Sequence, residues 1–214
     1  SSGHANEFFF YPGARLYFFL MYSFFWLNPT AYHIVSLTLH IIIVILIFLL
    51  AGKVLRSTAS AVLASFSFVI LSSYQESIFL ISSVGHQFSV LFVLLSLLLF
   101  ILWDEKKKRI FIIAAWLSIV CGLLFHELAI AAPLLMLFYQ FVHKNFSTSV
   151  FKWKKIYALL FSPVFVYIIL RLFTNHTYNL IQLPFNIIIK PIEYFMLSLL
   201  GSLSLPLSEK LNSL

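Results

Sequence analysis

The chain of 214 residues is 62% hydrophobic and only 10% charged, with a mean hydropathy of +1.01, which excludes a water-soluble domain of this size, where about a quarter of residues are charged. Its net charge of +7 invites a nucleic-acid reading, but most of the 14 Lys and Arg fall in three short segments between apolar runs: Lys53 and Arg56, Lys106 to Arg109, and Lys144 through Lys155. That is the loop pattern of a polytopic membrane protein with its basic segments on the cytoplasmic side, so membrane lipid is an expected partner and nucleic acid is not.

Residues 1–13 form an external loop ending at Pro12-Gly13. Residues 14–27, ARLYFFLMYSFFWL, are apolar but too short to cross, and suit an external interfacial helix. Asn28-Pro29 ends it, and Tyr32 to Ala51 makes the first span, directed inward to Lys53 and Arg56. The stretch from Arg56 to Asp104 accommodates two crossings, with a polar turn SSYQES at Glu76 and a shelf ending in Gly85-His86-Gln87. Residues 110–142 would form a lone helix of about 50 Å, far beyond the roughly 30 Å hydrocarbon core. Both flanks of that run are basic, so it must go out and come back, turning at His126-Glu127. Each arm then reaches only about 23 Å, which sets the turn below the headgroup plane, where ionisable groups are costly and usually functional. Ile156 to Phe173 crosses outward, and a partial span from about Ile192 to Leu205 follows an external loop. The expected fold is all-α: one transmembrane domain over 1–214, with a loop and interfacial helix (1–31), a six-helix core (32–173) and a loop with a partial seventh span (174–214). The chain opens without Met and is expected to be a piece of a longer protein.

The polar residues that stand out, Arg15, Glu76, His86, Gln87, His126 and Glu127, all fall on the outer side of this topology. A guanidinium from Arg15 and a protonatable imidazole from His126 on one face are what an anionic group such as phosphate needs. His33 and His40 share a face of the first span, but about 10.5 Å of rise separates them, too far for two ligands that must each reach within roughly 2.1 Å of one ion. No metal site and no cofactor are therefore expected; whether the chemistry needs a metal is left open. The single cysteine, Cys121, forms no intramolecular disulfide and no thiol cluster.

The order of these features (Arg15 in an interfacial helix that ends at Trp26-Leu27, NPTAYHIVSLTLH entering a span, a hairpin carrying a Glu, and LLFHE followed by Pro133) resembles the C-type membrane glycosyltransferases. The likeness is to the branch of protein O-mannosyltransferases and bacterial lipid A aminoarabinose transferases. It runs over most of residues 11–142 and more loosely through PIEYFMLSLLGSLSLPL. It implies that Arg15 meets the donor phosphate, although Ala14 stands for the family's preceding Tyr and Leu16 for its following Pro. Tyr32-His33 and His40 match the family's YH and LH, Glu76 matches the Glu of its HPxxxE turn with Ser72 for the Pro, and His126-Glu127 replaces its Lys-Glu. The Lys-to-His change makes that charge depend on protonation. The implied activity is transfer of a sugar from a polyprenyl-phosphate-linked donor to an acceptor at the external face, in the cytoplasmic membrane of a bacterium or the endoplasmic reticulum of a eukaryote. The family's catalytic acid is expected upstream of Ser1, with Glu7 the candidate inside the chain, so this piece alone is expected to be inactive. The alternative is a transporter or flippase for a lipid-linked anion that uses the same cations without chemistry.

Overall fold

The structure, a computed structural model, describes residues 11–70, 80–143 and 154–174; Glu7, Glu76 and the span expected at 192–205 lie outside these. The chain divides into two compact units, Ser1–Leu170 and Arg171–Leu214, and the helices below belong to the first up to the last turn of α7. The described residues are all-helical, with seven α-helices. Two helical stretches, Pro29–Leu55 and Ile81–Lys106, are long and apolar enough to cross a membrane; Thr58–Ile70, Arg109–Phe125 and Glu127–His143 are apolar but shorter.

Local chemistry sets most boundaries. Helix α1 (Pro12–Phe25) has Pro in its first turn, where a missing N–H costs nothing. Asn28 caps α2 (Pro29–Leu55) by accepting from Thr30 N–H at 3.1 Å, and Arg56 ends it in the left-handed region with φ 52°. Helix α3 (Thr58–Ile70) turns back along α2, with Gly52 facing Ala61 at one end and His40 stacked on Phe68 further along. A 3-10 turn (Ile81–Ser83) leads into α4 (Val84–Lys106), so Gly85-His86-Gln87, expected as a shelf, lies in that helix's first turn. Lys107, with φ 54°, ends α4 and the chain returns as α5 (Arg109–Phe125).

The apolar run 110–142 breaks at the expected place. His126 leaves the helix with φ −162° and ψ 151°, a 3-10 turn covers Glu127–Ile130, and α6 (Ala131–His143) follows. It does come back: Tyr139 meets Phe100 in the last third of α4, and His143 Nε2 lies 3.1 Å from Val54 O at the end of α2. Helix α7 (Lys154–Thr174) starts at that same end, its Tyr157 packing on Phe100 at 6.2 Å. Pro163 inside α7 removes the N–H that Leu159 O would otherwise receive. Ser162 Oγ donates to that carbonyl at 2.7 Å and accepts from Trp116 Nε1 at 3.2 Å, which repairs the ladder and ties α7 to α5.

Two apolar clusters hold the bundle. The larger joins Phe100 of α4, Ile119 of α5, Met136 of α6 and Leu160 of α7; the smaller seats Tyr17 and Met21 of α1 on Tyr32, Leu39 and Val84. The distribution is otherwise inverted from that of a protein in water. Ser36, Gln87, Ser89, Ser96, Asp104 and Gln140 are buried, while Phe24, Phe138, Phe165 and a stripe of Ile34, Ile41 and Ile45 stand exposed.

Candidate functional site

The bundle has two chemically different ends. At one, Lys53 pairs with Glu105 at 2.8 Å, Lys107 pairs with Asp104, and Arg56, Lys106 and Arg109 lie on the adjoining helix termini. At the other, the first turns of α1 and α4 meet the α5–α6 turn, and most of the residues singled out in the sequence converge there.

Close backbone approach makes that meeting possible. Gly13 lies where a Cβ would come within 2.9 Å of Leu124 O, and at Gly85 a Cβ would sit 3.3 Å from Phe125 O. Brought together in this way, the rings of His86 and His126 stack with centroids 3.9 Å apart, and Tyr11 covers His126 at 5.1 Å with its plane tilted by 20°. Tyr11 Oη donates to Glu127 Oε2 at 3.1 Å. Glu127 is also within electrostatic reach of His86.

His126 is held on every side. Its N–H donates to Gly122 O at 3.0 Å, its carbonyl accepts from Ser89 Oγ at 3.1 Å, and its Nδ1 accepts from Leu128 N–H at 3.2 Å. Gln87, next to His86 but turned inward, accepts from Ser36 Oγ at 3.0 Å and ties α4 to α2. Arg15 is exposed on α1, one turn beyond Tyr11, whose carbonyl receives the Arg15 N–H at 3.1 Å. Its guanidinium has no hydrogen-bond or ion-pair partner among the described residues.

The structure therefore brings together His86, His126 and Glu127, sets Gln87 behind them and Arg15 one helical turn away. His40 does not join: its ring is buried against Phe68 between α2 and α3. His33 lies half-buried about two turns nearer the start of α2. Tyr11 is the participant that the sequence reading missed, because an aromatic beside Pro12 looks like any interfacial anchor until Glu127 is seen opposite it. Among the described residues no group of three or more His, Cys, Asp or Glu is arranged to hold a metal ion. Chemically, the described residues at this end of the bundle offer a guanidinium, stacked imidazoles and a carboxylate engaged by a phenol.

Comparisons of the chain with protein-family models, with characterised proteins and with solved structures find no match.

Proposed function

We propose that the chain is the donor-binding part of a multi-pass membrane glycosyltransferase of the C-type, which takes a sugar from a polyprenyl-phosphate carrier and passes it to an acceptor at the external face. The observation that carries this reading is the convergence of His86, His126 and Glu127, with Arg15 a turn away, at the end of the bundle opposite its basic termini. In this reading α2 to α7 are six crossings, and the exposed apolar stripes face lipid. The shorter helices, α3 of 13 residues and α6 of 13, reach only about 20 Å. They fit a bilayer because the polar end is recessed.

During inverting transfer the acceptor atom bonds to the anomeric carbon and gives up its proton to a general base, while the bond from that carbon to the phosphate oxygen breaks and negative charge collects on the departing polyprenyl phosphate. Arg15 and the imidazole N–H groups stabilise that charge, and their effect is greatest in a site shielded from water. Glu127 takes no proton from the acceptor in this scheme. It holds Tyr11 and the histidine rings in position.

Two measurements test the reading. Binding of a polyprenyl monophosphate to the chain in detergent should weaken roughly 10- to 150-fold in Arg15→Ala, the range for a lost charge-assisted hydrogen bond; unchanged affinity would sink the donor site. In a Cys121→Ser background, cysteines at 107 and 154 should label only from the cytoplasmic side and a cysteine at 86 only from the other. Translocation of a fluorescent polyprenyl phosphate across proteoliposomes by the chain would favour the carrier reading instead.

A further inference from the structure

We infer that His86 is the ligand-facing, proton-accepting imidazole of this cluster, and that His126 is a neutral positioning residue whose ring serves as its platform. The inference rests on the donor-phosphate reading for its ligand, but the assignment of the two rings stands on geometry.

The geometry begins at the α5 terminus. In leaving the helix with extended backbone, His126 turns Nδ1 onto the N–H two residues ahead, and Leu128 N–H donates to it at 3.2 Å. This is the arrangement an Asn or Asp makes in an Asx-turn, with an imidazole nitrogen in place of the carbonyl oxygen. A nitrogen that accepts from a backbone N–H cannot carry a hydrogen of its own. His126 therefore bears its one proton on Nε2, and adding a second would set two donors against each other and open the turn.

His86 is differently situated. Its residue is exposed, and among the described residues neither ring nitrogen has a hydrogen-bond partner. Its one face rests on His126, with 3.9 Å between centroids. At that separation two imidazolium ions would repel strongly, so the stack holds one added proton at most. Among the described residues, the surrounding titratable and charged groups are His126 and Glu127 from the α5–α6 turn and Tyr11 from the start of α1, with Arg15 one turn along that helix; α4 itself adds none at this end. Of the two rings, His86 is the one whose nitrogens are both open among the described residues, whereas Nδ1 of His126 is engaged by Leu128 N–H. The added proton consequently goes to the ring that is open to a ligand.

A phosphate docked here would receive a charged N–H from His86 and a guanidinium from Arg15, across a floor made of His126 and Tyr11. Gly85 is what lets this happen, since it brings the first turn of α4 within 3.3 Å, measured from an ideal Cβ, of Phe125 O.

The test uses the whole chain in detergent and, as probe, a short polyprenyl phosphodiester, whose single charge stays constant over a titration from pH 5.5 to 8.5. Wild type should lose affinity by about tenfold or more as the histidine loses its proton, the scale of one charge-assisted contact. His86→Gln should bind weakly with no pH dependence, and His86→Lys tightly with none. His126→Asn, whose side-chain oxygen can still accept from Leu128 N–H, should keep the wild-type slope. A slope lost in His126→Asn and kept in His86→Gln would overturn the inference. Histidine ¹⁵N shifts give a readout independent of the probe: His126 should show an unprotonated Nδ1 across the range while His86 titrates, and the reverse pattern would overturn it equally. If no form binds the probe but the ¹⁵N pattern holds, the donor reading fails and the ring assignment stands.

Discussion

His86 and His126 come from the start of α4 and the end of α5, yet their ring centroids lie 3.9 Å apart, closer than the 5.1 Å between His126 and Tyr11. The contact depends on helices that approach through glycines rather than on any attraction between the rings. Three features that support this end of the bundle and its walls are open to test.

The first concerns Gly13 and Gly52, two helical glycines with opposite surroundings. A Cβ at Gly13 would meet Leu124 O at 2.9 Å and Leu124 C at 3.1 Å, which are backbone atoms that cannot step aside. Gly13→Ala should therefore lift α1 off the α5 terminus at a cost of roughly 1 to 3 kcal/mol. At Gly52 the nearest atom is Ala61 Cβ at 3.7 Å, an ordinary contact. Gly52→Ala should be neutral or stabilising by up to about 1 kcal/mol through helix propensity alone. Thermal unfolding with amide exchange in α1 reads both, and equal effects at the two sites would contradict the packing described.

Ser162 offers a second test. Its hydroxyl gives Leu159 O the donor that Pro163 removes and receives the indole N–H of Trp116. Ser162→Ala leaves both groups without a partner at a half-buried site, and should cost about 1 to 2 kcal/mol. Ser162→Thr keeps the hydroxyl and should recover most of that loss. Pro163→Ala should make the Ser162→Ala change mild, since the helix then supplies its own N–H; a double-mutant cycle with no coupling between 162 and 163 would refute the repair.

Tyr17 carries the third, which is a pH dependence. Burial, and to a smaller extent Tyr32, pushes its phenol up to about 12 from an ordinary value of 10.0. The folded state thus favours the neutral phenol, so this contribution to stability is complete below pH 10 and is lost as pH rises from there through about 12. Release of α1, followed by limited proteolysis near Trp26-Leu27, should increase over that interval in wild type. In Tyr17→Phe the same rise should be absent; an identical profile in both proteins would assign the transition to another group.

Much of this was legible in the sequence because the signals were local. Asn28-Pro29 announces a cap and a first turn, and a His-Glu pair in the middle of an apolar run marks the one place where it could turn. The hairpin followed from length and from its basic flanks. What could not be read is whatever depends on residues meeting across helices. His33 and His40 share a helical face, but His40 is claimed by Phe68 of α3. Gly85-His86-Gln87 looked like an irregular shelf because glycine at the edge of an apolar run is a loop signal, whereas here it serves close packing inside the first turn of α4. Tyr11 and Ser162 carry no local mark at all: a phenol and a hydroxyl acquire their roles only once Glu127 and Trp116 stand opposite them. The expectation of six crossings came from charge and hydropathy summed over the chain, while among the described residues two helices have the length and apolarity to cross taken singly.

Gly122 in the last turn of α5 and Ala129 in the 3-10 turn that follows have a consequence for how the hairpin closes. A Cβ at Gly122 would come within 2.8 Å of Ala129 Cβ and 3.2 Å of Phe92 Cβ, and Ala129 is itself fully buried. The neighbours of Ala129 in sequence are Leu128 and Ile130. If the returning arm slid by a single residue in either direction, a four-carbon side chain would have to enter a space that excludes even a second methyl group. The two smallest side chains thus act as an index mark: the arms can zip together in one register, and with it the depth at which the histidine stack sits is fixed.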